Sequence, residues 1–275
     1  MNITQTSTRY LDRGTGRVAY DLTGPDGAPL VVCLSGMGHL RSSYRDLSTA
    51  LAEAGFRVAR LELRGHGDSD TTFDSFDDDA AAGDLLALVE QLGGPALLVG
   101  SSMGGSAAIV AAARRPDLTA GLVLIGAFAR EPKVNPLLVG LMRLAMHPWW
   151  ARRSWGAYLP KLYAGRRPAD FDEQRAAMLD AMRPREKARA FSRTTHTSHL
   201  PAERSLAAVQ APVLVVMGGL DPDFKDPAAE AAWIAERLDG TVLMVPEAAH
   251  YPHAQRPDLV SPAVIGFARR VLARG

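Results

Sequence analysis

The chain alternates short apolar runs with amphipathic stretches, and each apolar run ends in small or polar residues. "RVAYDLTG", from Arg17, alternates polar and apolar positions and predicts a strand, with "PDG" as the turn after it. "PLVVCLSG" is continuously apolar, as a strand buried on both faces should be. The following "SSYRDLSTALAEAG" places Tyr44, Leu47, Leu51 and Ala54 on one helical stripe that Gly55 closes. The cycle repeats with the strands "FRVARLEL", "PALLVGS" and "GLVLIGAF". Between them lie a helix in "DDDAAAGDLLALVEQLGG", with acids in its first turn, and the small-residue helix "MGGSAAIVAAARRP", stopped by Pro116. Strands joined by single helices predict parallel crossovers, with helices on both faces of one sheet.

From about Arg130 to Leu206 this rhythm stops. The segment is helical in pattern and rich in aromatics, among them Trp149, Trp150, Trp155, Tyr158 and Tyr163. One helix is well marked: Asp170 predicts its cap, Glu173 completes a capping box, and Phe171, Met178, Leu179 and Met182 supply apolar positions. The strand and helix cycle then resumes with "APVLVVMGG", "DPAAEAAWIAERLDG", "TVLMVPE" and "DLVSPAVIGFARRVLAR". The pattern divides the chain into a first core part, residues 1–129, a helical cap, 130–206, and a second core part, 207–275.

Composition narrows the function. Thirty-one Lys and Arg stand against 30 Asp and Glu, which leaves no basic excess of the kind nucleic-acid binding needs. Cys33 is the only cysteine, so an internal disulfide and a two-cysteine metal site are excluded; in its apolar run it reads as a small packed hydrophobe. The N-terminus has no apolar core of a secretory signal. The most apolar stretch, "PLLVGLMRLAMHPWW", is shorter than ~20 residues and contains Arg143, so no membrane span is predicted. These features predict a cytoplasmic protein and leave the oligomeric state open.

The chemistry gathers where strands end. In "LLVGSSMGGSA" the pattern G-x-S-x-G centres on Ser102 at a strand-to-helix turn, although serine is also a favoured helix cap. A serine hydroxyl becomes a useful nucleophile only when a base takes its proton and a third group orients that base. Two later strand ends supply those residue types: Asp221 in "GGLDPDF", and His250 in "AAHYPHAQRPD". Asp223, Asp226 and His253 compete for these places. Position at the strand end favours Asp221, and Asp226 reads better as the cap of the next helix. The acids Asp74, Asp77, Asp78 and Asp79 read as a solvated helix start rather than a metal site. The lysine and spacing of a phosphate-binding loop are absent from "GSSMGG".

With "LRGHGDS" at 63–69, "GSSMGG", "GGLDPDF" and "AHYPHAQRP", the chain resembles the α/β-hydrolase family with a helical cap, over nearly its whole length. The resemblance implies a mostly parallel eight-stranded sheet with helices on both faces and an inserted cap. It implies a triad of Ser102, Asp221 and His250, the first histidine of its loop. It also implies an oxyanion hole from the backbone N–H groups of Met37 and Met103. Two departures are visible. Ser35-Gly36 stands where relatives often carry His-Gly, and Glu62 stands where an aspartate commonly precedes the arginine loop; neither removes a backbone donor. His66 reads as structural and His253 as a packing or hydrogen-bonding neighbour. Gly36, His199 and Trp150 are the candidate pocket residues, although the cap tryptophans read more often as cap core.

No metal or organic cofactor is called for. The expectation is a serine hydrolase acting through an acyl-enzyme on a small or medium hydrophobic carboxylic ester. A carbon–carbon hydrolase of a diketone-like metabolite, or a slow-turnover ligand receptor of the same fold, are the alternatives. A serine nucleophile argues against relatives that displace at carbon with an aspartate.

Overall fold

The computed structural model describes residues 7–132 and 135–273. Its centre is an eight-stranded sheet: β1 (Arg9–Asp12), β2 (Arg17–Thr23), β3 (Leu30–Leu34), β4 (Arg57–Leu61), β5 (Ala96–Ser101), β6 (Thr119–Ile125), β7 (Val213–Gly218) and β8 (Thr241–Val245). The spatial order is β1-β2-β4-β3-β5-β6-β7-β8. The β1·β2 and β2·β4 pairs are antiparallel and the other five are parallel. Seven of these strands follow from the apolar runs. The eighth, β1, is a four-residue edge strand with one buried position, too short to leave a pattern.

Period-2 alternation sorts the central strands into two cores. Leu30, Val32 and Leu34 of β3 join Leu98, Leu122 and Val215 in the core on one face. That face is covered by helices α2 (Asp78–Leu92), α3 (Met103–Arg114) and α9 (Pro227–Arg237), the first two packed directly on each other. Val31, Cys33, Leu97, Val123 and Val216 enter the opposite core, beneath α1 (Arg45–Glu53) and α11 (Pro257–Leu272), which follows the short α10 (Pro252–Gln255). Tyr44, Leu47 and Leu51 are buried there as their stripe predicts. Cys33 is fully buried, and burial, ahead of the opposing influence of Arg60, pushes its thiol up to about 12, so it packs as an inert neutral group.

Between β6 and β7 lie α4 (Pro136–Ala145), α5 (Ala151–Leu162), α6 (Phe171–Ala181), α7 (Arg185–Thr194) and α8 (Leu200–Ser205). This insertion has its own core of Trp155, Leu159, Phe171, Met178 and Phe191, closed by Tyr251 from the loop after β8.

Two local expectations are corrected. Asp170 stands at the start of α6, but its side chain makes no cap bond; it accepts instead from Arg45 at 2.5 Å and from Gln174 Nε2 at 3.2 Å. A nearby guanidinium outcompetes the backbone N–H groups for that carboxylate. The acids before α2 are not uniformly solvated either. Asp77 caps the helix through Ala80 N at 2.9 Å, while Asp78 is fully buried and bonded to Nδ1 of His199 at 2.9 Å. The C-terminal insertion helices cover it, which no local pattern announces. Asp226 caps α9 through Ala229 N at 3.0 Å, as its position predicts.

Candidate active site

The predicted site residues of the core gather at the C-terminal edge of the sheet, in the loops after β3, β5, β7 and β8, with the loop after β6 packed beside them. Ser102 lies between β5 and α3, at the N-cap position, with φ 53° and ψ −125°, a left-handed-side geometry that a non-glycine residue adopts only when its surroundings enforce it. The neighbourhood is small by necessity. A Cβ on Gly104 would fall 2.2 Å from the carbonyl oxygen of Leu34, so only glycine lets α3 start this close to β3. Ser102 N donates to Ile125 O at 2.9 Å, tying the turn to β6. Ser102 Oγ offers no cap bond to its own helix, so the capping explanation of this serine fails.

Gly36, from the loop after β3, packs directly on Ser102: a Cβ there would lie 2.6 Å from Ser102 Cβ and 3.2 Å from its Oγ. The loop is held by His66, whose Nε2 accepts from Gly38 N at 3.0 Å while Nδ1 donates to Arg64 O at 3.0 Å. Burial pushes this imidazole down to about 4, so it is neutral and keeps both bonds at neutral pH. Met103 is the first residue of α3, and its N–H has no intrahelical carbonyl to reach. Met37 N donates to no backbone carbonyl among the described residues.

Asp221 and His250 meet at the next two strand ends. Nδ1 of His250 and Oδ2 of Asp221 are 2.8 Å apart, both buried. Gly126, just past β6, lies against this pair, and His250 N donates to Leu162 O of α5 at 3.0 Å, which fixes the loop to the insertion. Asp223 is a second carboxylate at the same imidazole, with Oδ2 3.6 Å from Nδ1. Its N–H donates to Asp221 Oδ1 at 3.0 Å, and its Oδ1 accepts from the Tyr158 hydroxyl of α5. Burial alone would push the His250 imidazole down, but Asp221 and then Asp223 outweigh it and hold it up at about 9. Asp221, Asp223 and His250 each place a ligand atom within 4.8 Å of the others. Nδ1, however, is taken up by Asp221 and Asp223 by Tyr158, so that donor set is already engaged.

Ser102 and His250 thus occupy one sheet edge without a direct hydrogen bond between them among the described contacts. Such bonds are often long in unliganded hydrolases and tighten around substrate. Of the remaining predicted residues, His199 sits nearby: it bonds Asp78 and stacks on Phe128 with centroids 4.9 Å apart, and Phe128 lies 6.0 Å from the His250 ring. Trp150 does not join this group. It is half exposed, donates to Leu144 O at 2.7 Å and contacts His147 and Trp149. Trp155, by contrast, is buried and donates to Gly38 O at 3.2 Å, next to the loop of Met37. His253 is buried against Tyr44 at 4.6 Å, and neither ring nitrogen has a hydrogen-bond partner among the described residues, so it packs without bonding. The supporting roles of Tyr158 and Gln255 left no sequence signal, and Asp223, a rival for the acid's place in the sequence, stands beside Asp221 at the imidazole. Gln255 is buried, accepts from Ala249 N and donates to the carbonyls of Ala164 and Arg166, stapling the histidine loop to the insertion.

Comparison with known proteins identifies the family. The profile of the alpha/beta hydrolase family matches residues 31–263, and the chain belongs to that family. It is 27% identical over 262 residues to 2-(acetamidomethylene)succinate hydrolase of Mesorhizobium japonicum, covering 92% of each chain. It is 30% identical over 273 residues to the pimeloyl-[acyl-carrier protein] methyl ester esterase of Neisseria meningitidis serogroup A, covering 90% of this chain and 79% of the relative. A thermophilic esterase from Thermogutta terrifontis shares the fold with a TM-score of 0.79 at 24% identity, covering 98% of this chain and 100% of the other.

Proposed function

We propose that this alpha/beta hydrolase is a serine hydrolase that cleaves a small or medium hydrophobic carboxylic ester through an acyl-enzyme on Ser102. The observation that carries the reading is the enforced backbone of Ser102 at the start of α3, on the sheet edge where His250 bonds Asp221 at 2.8 Å. In this reading Ser102 Oγ attacks the acyl carbon and its proton passes to Nε2 of His250. Asp221 holds the Nδ1–H tautomer and stabilises the imidazolium. The N–H groups of Met37 and Met103 receive the oxyanion, an arrangement in which one donor is typically worth ~10²–10³ in rate. His250 then returns the proton to the departing alcohol. Water, deprotonated by His250, attacks the acyl-enzyme, and collapse of that adduct frees the acid while the proton returns to Ser102.

The helices between β6 and β7 act in this reading as a cap over the sheet edge. Apolar and aromatic groups around the triad, including Met37, Phe128, Trp155 and Phe224, favour a hydrophobic acyl or alcohol group. The methyl ester esterase relative supports ester over carbon–carbon cleavage.

Intact-mass spectrometry after exposure to a fluorophosphonate, alongside turnover of short p-nitrophenyl esters, tests this. One adduct and multiple turnover in the wild type, both lost in Ser102→Ala, is the expected result. An adduct that persists in Ser102→Ala, or no ester turnover with a reactive serine, overturns the reading and leaves carbon–carbon hydrolysis or ligand sensing.

A further inference from the structure

Helix α4 is apolar on nearly every side, yet none of its described residues is buried. Leu137 is 73% exposed, Leu141 55%, Met142 55% and Leu144 57%. Trp149, in the turn that follows, is 83% exposed. A ten-residue helix gains little from backbone bonds alone, and one that is hydrophobic all round normally lies inside a core or a lipid phase. Its charges have one sign. From residue 135 to 169 the chain has no Asp or Glu, although acids and bases nearly cancel over the whole protein. Arg143 is on α4, and Arg152 and Arg153 begin α5 directly after the tryptophans; none has a carboxylate partner within 4 Å among the described residues.

We propose that α4 and Trp149 form a docking surface for an anionic lipid bilayer, into whose interface they insert while Arg143, Arg152 and Arg153 meet the headgroups. A protein groove covers one stripe of a helix, whereas lipid surrounds a helix on several sides and accepts one that is apolar all round. Exposed tryptophan beside arginine is the composition of a membrane interface. A second copy of this chain fits poorly, because a twofold contact would bring the same unpaired arginines face to face.

The test is flotation of the full chain with phosphatidylcholine vesicles and with vesicles containing roughly a third phosphatidylglycerol, as a juxtamembrane basic cluster would require. Binding to the anionic vesicles, with a blue shift of tryptophan emission and loss at high salt, is expected. Arg153→Gln should weaken it roughly fivefold, the effect of one cation at such a surface. Leu141→Asp should abolish it while leaving turnover of a soluble short ester and the melting temperature unchanged. Ser102→Ala should bind as the wild type does, so this result is separate from the proposed chemistry. Equal binding to both vesicle types, no binding to either, or a self-association that Leu141→Asp dissolves in the absence of vesicle binding would each overturn the proposal.

Discussion

The Tyr158 hydroxyl, on the insertion, donates to Asp223, and the other oxygen of that carboxylate lies 3.6 Å from Nδ1 of His250. Two acids, Asp221 and Asp223, therefore face one imidazole, and a helix outside the sheet holds the second of them in place. Burial, then Asp223, hold the Tyr158 hydroxyl well above its ordinary value, so it remains a donor across the working range.

A general base must be unprotonated to act. With the His250 imidazole held up at about 9, kcat/KM for ester hydrolysis should climb through neutral pH and level off only near that value. Asp223→Asn removes one of the two charges that raise it. The acid limb should then move down by about 1 unit, a usual effect of one charge at this range. A pH–rate profile of the two proteins checks this, and an unmoved limb would mean that Asp223 is not felt at the imidazole.

His66→Ala leaves the N–H of Gly38 without its acceptor and loosens the loop that carries Met37. The change touches none of Ser102, Asp221 and His250 directly. If Met37 N–H is an oxyanion donor as proposed, its displacement should lower kcat by about 10- to 100-fold, less than outright loss of the donor, with little change in KM. Steady-state kinetics separate the two. A rise in KM at constant kcat would assign His66 to substrate binding instead.

Gly36→Ala would place a methyl 2.6 Å from Ser102 Cβ and 3.0 Å from the carbonyl oxygen of Ser101. Ser102 must shift to accept it. Fluorophosphonate labelling should slow by roughly 100-fold, as expected when a reacting atom is moved by a fraction of an ångström to one ångström. Overpacking should also cost about 1–3 kcal/mol, read from the melting temperature. Labelling at the wild-type rate would show that the loop yields instead of the serine.

Several histidines are buried neutral. Burial, then Arg45 and His250, pushes His253 down to about 3, and burial pushes His66 down to about 4. Below the ordinary value of 6.5 the unfolded chain takes up protons at these positions and the folded chain does not. Their stabilising contribution is therefore present above 6.5 and falls as the pH drops, by ~1.4 kcal/mol per unit for each. His250 acts in the opposite sense: its raised value contributes stability below 6.5, lost as the pH rises through about 9, so it does not mask the acid limb. His253→Phe keeps a ring against Tyr44 and removes one titrating group. Between pH 6.5 and 5 it should lose about 2 kcal/mol less than the wild type in urea unfolding.

Much of this molecule follows from order along the chain. The continuous apolar runs, the helical stripes between them and the glycines around Ser102 are consequences of backbone geometry, which acts over a few residues and leaves a local pattern. That is why seven strands, the cap at Asp226, the acidic start of the helix at Asp78–Leu92, and the loops of Ser102, Asp221 and His250 can be recognised from residue order. What depends on two distant segments meeting leaves no such pattern. Asp78 reads as part of a solvated helix start and His199, 121 positions away, as a pocket residue; that the two bond each other under the insertion is written in neither segment. Tyr158 reaches Asp223 across 65 positions, and Asp170 turns from the helix it begins toward Arg45, because a specific charge nearby binds more strongly than a backbone amide. Trp155 and Trp149 lie on the same short aromatic stretch, yet one packs against Gly38 and the other stands in the open. Hydrophobicity dictates that both should be covered; only the packing of the insertion on the sheet decides which of them the protein covers by itself.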